Sequence, residues 1–155
     1  MNQLGVVLML WLLPLRLDPT SVAGTALCGA ADGKSEIALQ EITDSLRTRL
    51  GITQLVQVTL VDHNPLVMSG ETLGGRIVPF VITVDRDFIS ELGHDAIEAS
   101  IAHELGHVWI YTHHPYIQTE RLANEVAMRV IRRSAFEPVY EKVWRRTGIR
   151  GNLAE

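Results

Sequence analysis

Hydrophobic positions recur at helical spacing in the segment from Ser35 to Leu50. Its apolar side chains lie three or four residues apart, at Leu39, Ile42, Leu46 and Leu50. An α-helix places positions with this spacing on one face, and Gly51 follows as a residue that commonly ends a helix. The pattern predicts an amphipathic helix that packs its apolar face against a core.

Alternating apolar and polar positions indicate strands in the next part of the chain. Thr53–Asp62 alternates over its middle, which predicts a half-buried strand. A second strand is predicted over Arg76–Asp85, and a short one at Leu66–Met68 within a loop rich in Gly and Pro. Because Pro79 cannot donate a ladder hydrogen bond, we expect the Arg76–Asp85 strand to lie at a sheet edge.

Helical spacing returns in the C-terminal half of the chain. It predicts helices over Asp95–Tyr111, Thr119–Arg133 and Glu137–Thr147. A helix, then strands, then helices is typical of an α+β domain, here with a small mixed or antiparallel sheet. We expect residues 27–155 to form this single domain.

The N-terminus differs from the rest because Met1–Leu15 contains no charged side chain. Its apolar run, Leu4–Leu13, is shorter than the about 20 residues that span a bilayer. Small residues follow, and cleavage after Ala23 or Ala26 would suit a signal peptide. We expect residues 1–26 to be a signal peptide or an apolar N-terminal segment. An exported protein, periplasmic or secreted and without a membrane span after cleavage, is favoured over an uncleaved anchor or lipidation at Cys28.

Composition excludes several classes of protein. The 155 residues are 46% hydrophobic with a formal net charge of −4, which argues against intrinsic disorder and against a nucleic-acid partner. The single cysteine rules out an internal disulfide framework and a zinc site built from several thiolates. A metal site would therefore need His and carboxylate ligands.

Such ligands occur together in the H-E-L-G-H segment at residues 103–107. His103 and His107 lie one helical turn apart, so both imidazoles can bind one Zn²⁺. Glu104 lies beside them, where it can take a proton from a zinc-bound water and pass one to a leaving amine. Gly106 is unfavourable within a helix, which predicts that another segment approaches it closely.

A catalytic zinc site takes a third protein ligand and leaves its fourth position open. The downstream candidates are His113, His114, Glu120 and Glu125. Glu120 is favoured because Asn124 follows it by one turn, where its amide could orient a histidine. Glu125 is followed by Arg129 at the same spacing, which predicts a surface ion pair instead.

H-E-L-G-H at 103–107 and E-x-x-A-N at 120–124 resemble the gluzincin branch of the zincin metallopeptidases. The second motif is similar to the CAAX-prenyl-endopeptidase and ImmA/IrrE types. The resemblance covers the Arg76–Asp85 strand through Asn124. It implies a minimal zincin-like fold, with that edge strand over the motif helix and paired with an extended peptide substrate. It also implies zinc ligands, a catalytic base and a supporting residue, namely His103, His107 and Glu120, Glu104, and Asn124.

These features together predict a small exported zinc-dependent peptidase that acts on a peptide or protein. Donors to the oxyanion of the transition state are sought in the residues after the motif: Tyr111, His113, His114 and Tyr116. One alternative is a non-catalytic zinc-binding domain with a structural or partner-binding role, which four protein ligands would favour. Another is a metal-free helical interaction module.

Overall fold

The computed structural model describes residues 34–64, 68–72 and 80–148. The predicted signal peptide, Cys28 and Pro79 lie outside these ranges. The elements, in chain order, are α1 (Glu36–Arg49), β1 (Val56–Val61), β2 (Met68–Thr72), β3 (Phe80–Asp85), α2 (Arg86–Ser90), α3 (His94–Thr112), α4 (Glu120–Ala127), a 3₁₀ turn (Arg133–Ala135) and α5 (Glu137–Thr147). No helix within the described ranges is long and apolar enough to cross a bilayer.

The α+β class is confirmed, because helices pack against a small mixed sheet. In the sheet the strand order is β1-β3-β2. β3 runs parallel to β1, with Val56 opposite Phe80, and antiparallel to β2, with Met68 opposite Val84. The prediction that Phe80–Asp85 lies at the sheet edge is therefore wrong. The described strand begins after Pro79, so every ladder position of β3 belongs to a residue that can donate.

The outer side of β1 is covered by side chains from α1. The Gln40 amide donates to the Val56 carbonyl oxygen at 2.9 Å and accepts from the Val58 N–H at 2.9 Å. This amide makes the pair of hydrogen bonds that a neighbouring strand would make. Within the described residues, β2 forms the opposite edge and contacts α3.

Two helices differ from the sequence-based expectation. The helix predicted over Thr119–Arg133 ends at Ala127, and the carbonyl oxygen of Val130 instead accepts a hydrogen bond from Arg49 at 2.6 Å. The short α2 was not predicted. It begins because the Asp85 carboxylate accepts from the Phe88 N–H at 2.7 Å, which caps the first turn.

The core lies between the sheet and α3, whose middle is buried on most sides. α4 packs against α3 at Gly106. A Cβ atom added there would lie 2.4 Å from the carbonyl oxygen of Ala123 and 2.9 Å from its Cα. The close approach predicted for Gly106 is confirmed, and it brings the first turn of α4 beside the H-E-L-G-H segment.

Candidate metal centre

α3 carries His103 and His107 on one face. Their ring centroids are 4.8 Å apart and the rings are nearly perpendicular. The two Nε2 atoms face each other at 3.2 Å. Helical spacing alone explains this convergence, because residues four apart are neighbours along one face.

α4 brings a carboxylate to the same point. Thr119 caps the helix through its side-chain oxygen, which accepts from the Leu122 N–H at 3.1 Å, and Glu120 is the first helical residue. The Glu120 carboxylate oxygens lie 3.2 Å from His103 Nε2 and 3.6 Å from His107 Nε2. Among the described residues, His103, His107 and Glu120 form the group whose ligand atoms converge, all within 4.8 Å of one another.

These distances fit a tetrahedral zinc ion. Ligand atoms bonded to Zn²⁺ at about 2.0–2.1 Å in tetrahedral geometry lie about 3.3 Å from one another. The two Nε2 atoms are separated by 3.2 Å, close to that value. Each also has a Glu120 oxygen at a similar distance, Oε2 at 3.2 Å from His103 and Oε1 at 3.6 Å from His107. Two imidazoles and one carboxylate are also a ligand set typical of catalytic zinc.

Hydrogen bonds behind the rings fix which nitrogen faces the centre. His103 Nδ1 lies 2.8 Å from the Asn124 amide oxygen, and His107 Nδ1 lies 3.0 Å from the Gln118 amide oxygen. An amide oxygen only accepts, so each Nδ1 carries a proton and donates it. In the neutral imidazole each Nε2 then presents a lone pair to the centre, as a metal ligand must.

The charges at the centre are strongly coupled. Burial opposes the charged form of His107, but its hydrogen bond with Glu120 and the nearby Glu104 charge outweigh this and raise its pKa to about 9. Hydrogen bonds with His103 and His107 hold the pKa of Glu120 far below its ordinary value. Both shifts have one cause: acceptor atoms face one another, so positive charge between them is favoured.

Glu104 lies next to this centre and is half-buried. Its negative charge contributes to the raised pKa of His107. Within the described ranges, no hydrogen bond or ion pair between protein groups uses the Glu104 carboxylate. A carboxylate in this position can accept a proton from a water bound beside it.

The other third-ligand candidates lie elsewhere. Glu125 is exposed and pairs with Arg121 at 3.6 Å, so the predicted pairing with Arg129 is wrong. Arg129 instead lies over the Trp109 ring, 4.6 Å from its centroid. His113 stacks on the same Trp109, and its Nδ1 is 2.7 Å from the Trp109 carbonyl oxygen.

The remaining predicted oxyanion donors are spread around the end of α3. Tyr111 lies near the end of α3, and its ring meets Phe80 edge-on at 5.6 Å. Tyr111 is on the same helical face as His107, one turn later. Tyr116 tilts against Trp109 at 5.4 Å, and His114 is exposed.

Two residues at the centre were missed by the sequence analysis. Gln118 holds His107 and also donates from its amide nitrogen to the His107 carbonyl oxygen at 2.9 Å. The Tyr140 hydroxyl, on α5, accepts from the Asn124 amide nitrogen at 2.6 Å. Neither residue stands in a motif or at a helical spacing from a ligand, so only the folded arrangement reveals them.

Comparisons with known proteins add no relative to this description. No protein-family profile, no curated protein and no solved structure matches the chain.

Proposed function

We propose that this chain is a zinc-dependent peptidase in which His103, His107 and Glu120 hold the metal and Glu104 is the general base. The observation that supports it most directly is the convergence of ligand atoms from His103, His107 and Glu120, all within 4.8 Å of one another, beside the Glu104 carboxylate, which is free of protein partners among the described residues. The zinc site predicted from the sequence requires this arrangement.

The chain's own groups have distinct tasks in this proposal. A zinc ion held there would supply a Lewis acid that acidifies a bound water and polarises the scissile carbonyl. Glu104 accepts the proton of the attacking water and delivers a proton to the leaving amine. Asn124 and Gln118 hold the two imidazoles so that neither ring turns away during this transfer.

Access to the centre comes from the side of Glu120, whose side chain is 66% exposed. The two histidine side chains are only 18% and 23% exposed. Three converging protein ligands among the described residues leave one position of a tetrahedral ion available, which supports a catalytic rather than a closed structural site.

An extended peptide could be held along β2. This strand lies at a sheet edge in the described residues and contacts α3. Phe80, which pairs with Thr72 of β2, also touches Tyr111 one turn beyond His107. Main-chain hydrogen bonds to the outer side of β2 would place a peptide near the metal helix.

The test compares the wild type with Glu104→Gln on a broad peptide pool, with zinc content measured in both. We expect about one zinc per chain in each, and a fall in turnover of about 10²–10⁴-fold in the variant. Glu98→Gln is the matched control, because Glu98 is on the same helix but pairs with His94 at 3.6 Å. It should retain both zinc and activity.

The outcomes separate the alternatives. Bound zinc with no peptide cleavage by the wild type would favour the non-catalytic zinc-binding domain. Absence of stoichiometric zinc from protein loaded with the metal would contradict the peptidase and favour the metal-free interaction module. Equal turnover by wild type and Glu104→Gln would remove Glu104 from the reaction.

A further inference from the structure

The Asn124 amide behind His103 has two ends with opposite hydrogen-bonding character. Its oxygen faces His103 Nδ1 at 2.8 Å, and its nitrogen donates to the Tyr140 hydroxyl at 2.6 Å. Asn124 is only 2% exposed, so its nitrogen has little access to bulk water. The orientation of this amide therefore depends on protein partners.

Rotating the amide by half a turn would change the chemistry of His103. The amide nitrogen would then face Nδ1, which would have to accept, and the imidazole proton would move to Nε2. A protonated Nε2 has no lone pair for a metal. The orientation of Asn124 thus decides whether His103 can act as a ligand.

Gln118, which holds the other histidine, has its orientation set differently. Its amide nitrogen donates to the backbone carbonyl oxygen of His107 at 2.9 Å, and a carbonyl oxygen can only accept. Among the residues that the structure describes, Asn124 has no such backbone partner, and its amide nitrogen donates instead to a hydroxyl that can either donate or accept. The His103 side of the centre is therefore the one that needs a further residue to select the orientation.

We propose that Tyr140 is a positioning residue for the metal centre, which selects the Asn124 orientation that keeps the His103 proton on Nδ1. Burial and the negative charge of Glu120 raise the pKa of the Tyr140 hydroxyl, which therefore keeps its proton. Its oxygen accepts from the Asn124 nitrogen at 2.6 Å, with the O–H proton directed away from the amide. The hydroxyl lone pairs are then left for the Asn124 N–H. This inference rests on the metal-binding part of the proposed function, and not on peptide cleavage.

Tyr140→Phe removes the acceptor and keeps the ring. We expect zinc affinity, measured by competition with a chromophoric chelator, to fall about tenfold, the lower end of the loss seen for residues behind metal ligands. Val139→Ala is the matched control on the same helix, because Val139 is buried in the core. It should lower stability and leave the zinc affinity of the folded protein unchanged.

An Asn124→Asp background distinguishes positioning from packing. A carboxylate accepts at both ends, so half a turn changes nothing and His103 donates in either orientation. We expect Tyr140→Phe to change zinc affinity less than about twofold in this background, against about tenfold with Asn124 present.

An equal loss in both backgrounds, or no loss with Asn124 present, would overturn the positioning role. A wild type that binds no zinc would overturn it together with the metal site. Zinc binding without peptide cleavage would contradict the peptidase alone, because every measurement on Tyr140 reads affinity rather than turnover.

Discussion

Two clusters of this molecule are each built around a carboxylate with a lowered pKa, yet they are completed in different ways. In the first, Asp85 is 4% exposed and accepts from the Phe88 N–H at 2.7 Å, the Asn64 N–H at 3.1 Å and Arg146 at 3.0 Å. Arg146 also donates to Glu91 at 2.8 Å. Here the protein supplies both the donors and the positive charge.

In the second cluster, Glu120 faces two imidazole nitrogens whose lone pairs point toward it. Asn124 and Gln118 have already taken the Nδ1 protons of both rings. Three acceptor atoms meet, and only a proton or a metal ion can lie between them favourably. A lowered carboxylate pKa therefore accompanies an internal ion pair in the first cluster and the proposed metal site in the second. The two differ in whether the protein itself supplies the positive charge.

The largest expected effect comes from Glu120→Gln, which removes a charge from the second cluster. An amide is a poor zinc ligand and donates toward the histidines, so zinc affinity should fall more than about 100-fold, beyond the loss for residues behind the ligands. Glu125→Gln is the control on the same helix, because Glu125 pairs with Arg121 on the surface. Similar zinc affinities for the two variants would exclude Glu120 as a ligand.

The next effect is a pH dependence that belongs to the second cluster alone. The metal-free protein holds a proton on His107, whose pKa is raised to about 9, and zinc must displace it. Zinc affinity should rise about tenfold per pH unit between about pH 7 and 8.5. Isothermal titration calorimetry in buffers of different ionisation enthalpy should report about one proton released per zinc bound.

The same His107 shift has a consequence for stability without metal. A raised folded pKa stabilises the protein fully below the ordinary value of about 6.5, and this contribution is lost as pH rises toward about 9. Urea unfolding of the metal-free protein should show this loss of stability between about pH 6.5 and 9.

Both predictions depend on a protonated His107 in the metal-free protein. A zinc affinity independent of pH between about pH 7 and 8.5 would mean that His107 is neutral before the metal binds.

The smallest effect on zinc is expected from the first cluster. Asp85→Asn keeps a residue that can cap α2 but removes the partner charge of Arg146, so the free energy of unfolding should fall by about 1–3 kcal/mol. Zinc affinity of the folded variant should equal that of the wild type. A matching loss of zinc affinity would show that the two clusters are coupled.

Acid should act on Asp85 with the opposite sign to His107. Burial raises its pKa, but the Phe88 and Asn64 N–H groups and Arg146 outweigh this and leave it lowered. Its contribution is present above about pH 4 and is lost as pH falls through the folded pKa. The acid-side loss of stability should therefore be shallower in Asp85→Asn than in the wild type.

The parts of the centre that follow from local spacing could be predicted from the sequence. His103 and His107 need only a helix to converge, and the pattern around them predicts one. Glu120 and Asn124 were favoured by their own helical spacing and by the resemblance to a known motif. Spacing could not give their distance from the histidines, because that distance depends on how α4 packs. Gln118 and Tyr140 carry no such signal.

The fold shows the same difference between features set by local spacing, which could be predicted, and features set by tertiary contacts, which could not. The helices were predicted well where apolar spacing is regular, as in Glu36–Arg49, and poorly where a tertiary contact ends a helix, as at Ala127. The predicted edge position of β3 is wrong because strand order is a non-local property, which a proline in the sequence does not determine. Asp85, as an N-cap residue, is the sequence signal for α2, because its carboxylate accepts from the Phe88 N–H.

The contact between Gly106 and Ala123 has a consequence for ion selectivity. The backbones of α3 and α4 meet at Gly106 and Ala123. A change of side-chain rotamer at this contact therefore cannot increase the separation between the two helices. Zinc–ligand bonds of about 2.0–2.1 Å suit the spacing of His103, His107 and Glu120. Ca²⁺ instead takes six to eight oxygen ligands at about 2.3–2.6 Å. By letting α4 lie against α3, the absence of a side chain at Gly106 would restrict the size of the ion that the proposed metal site accepts.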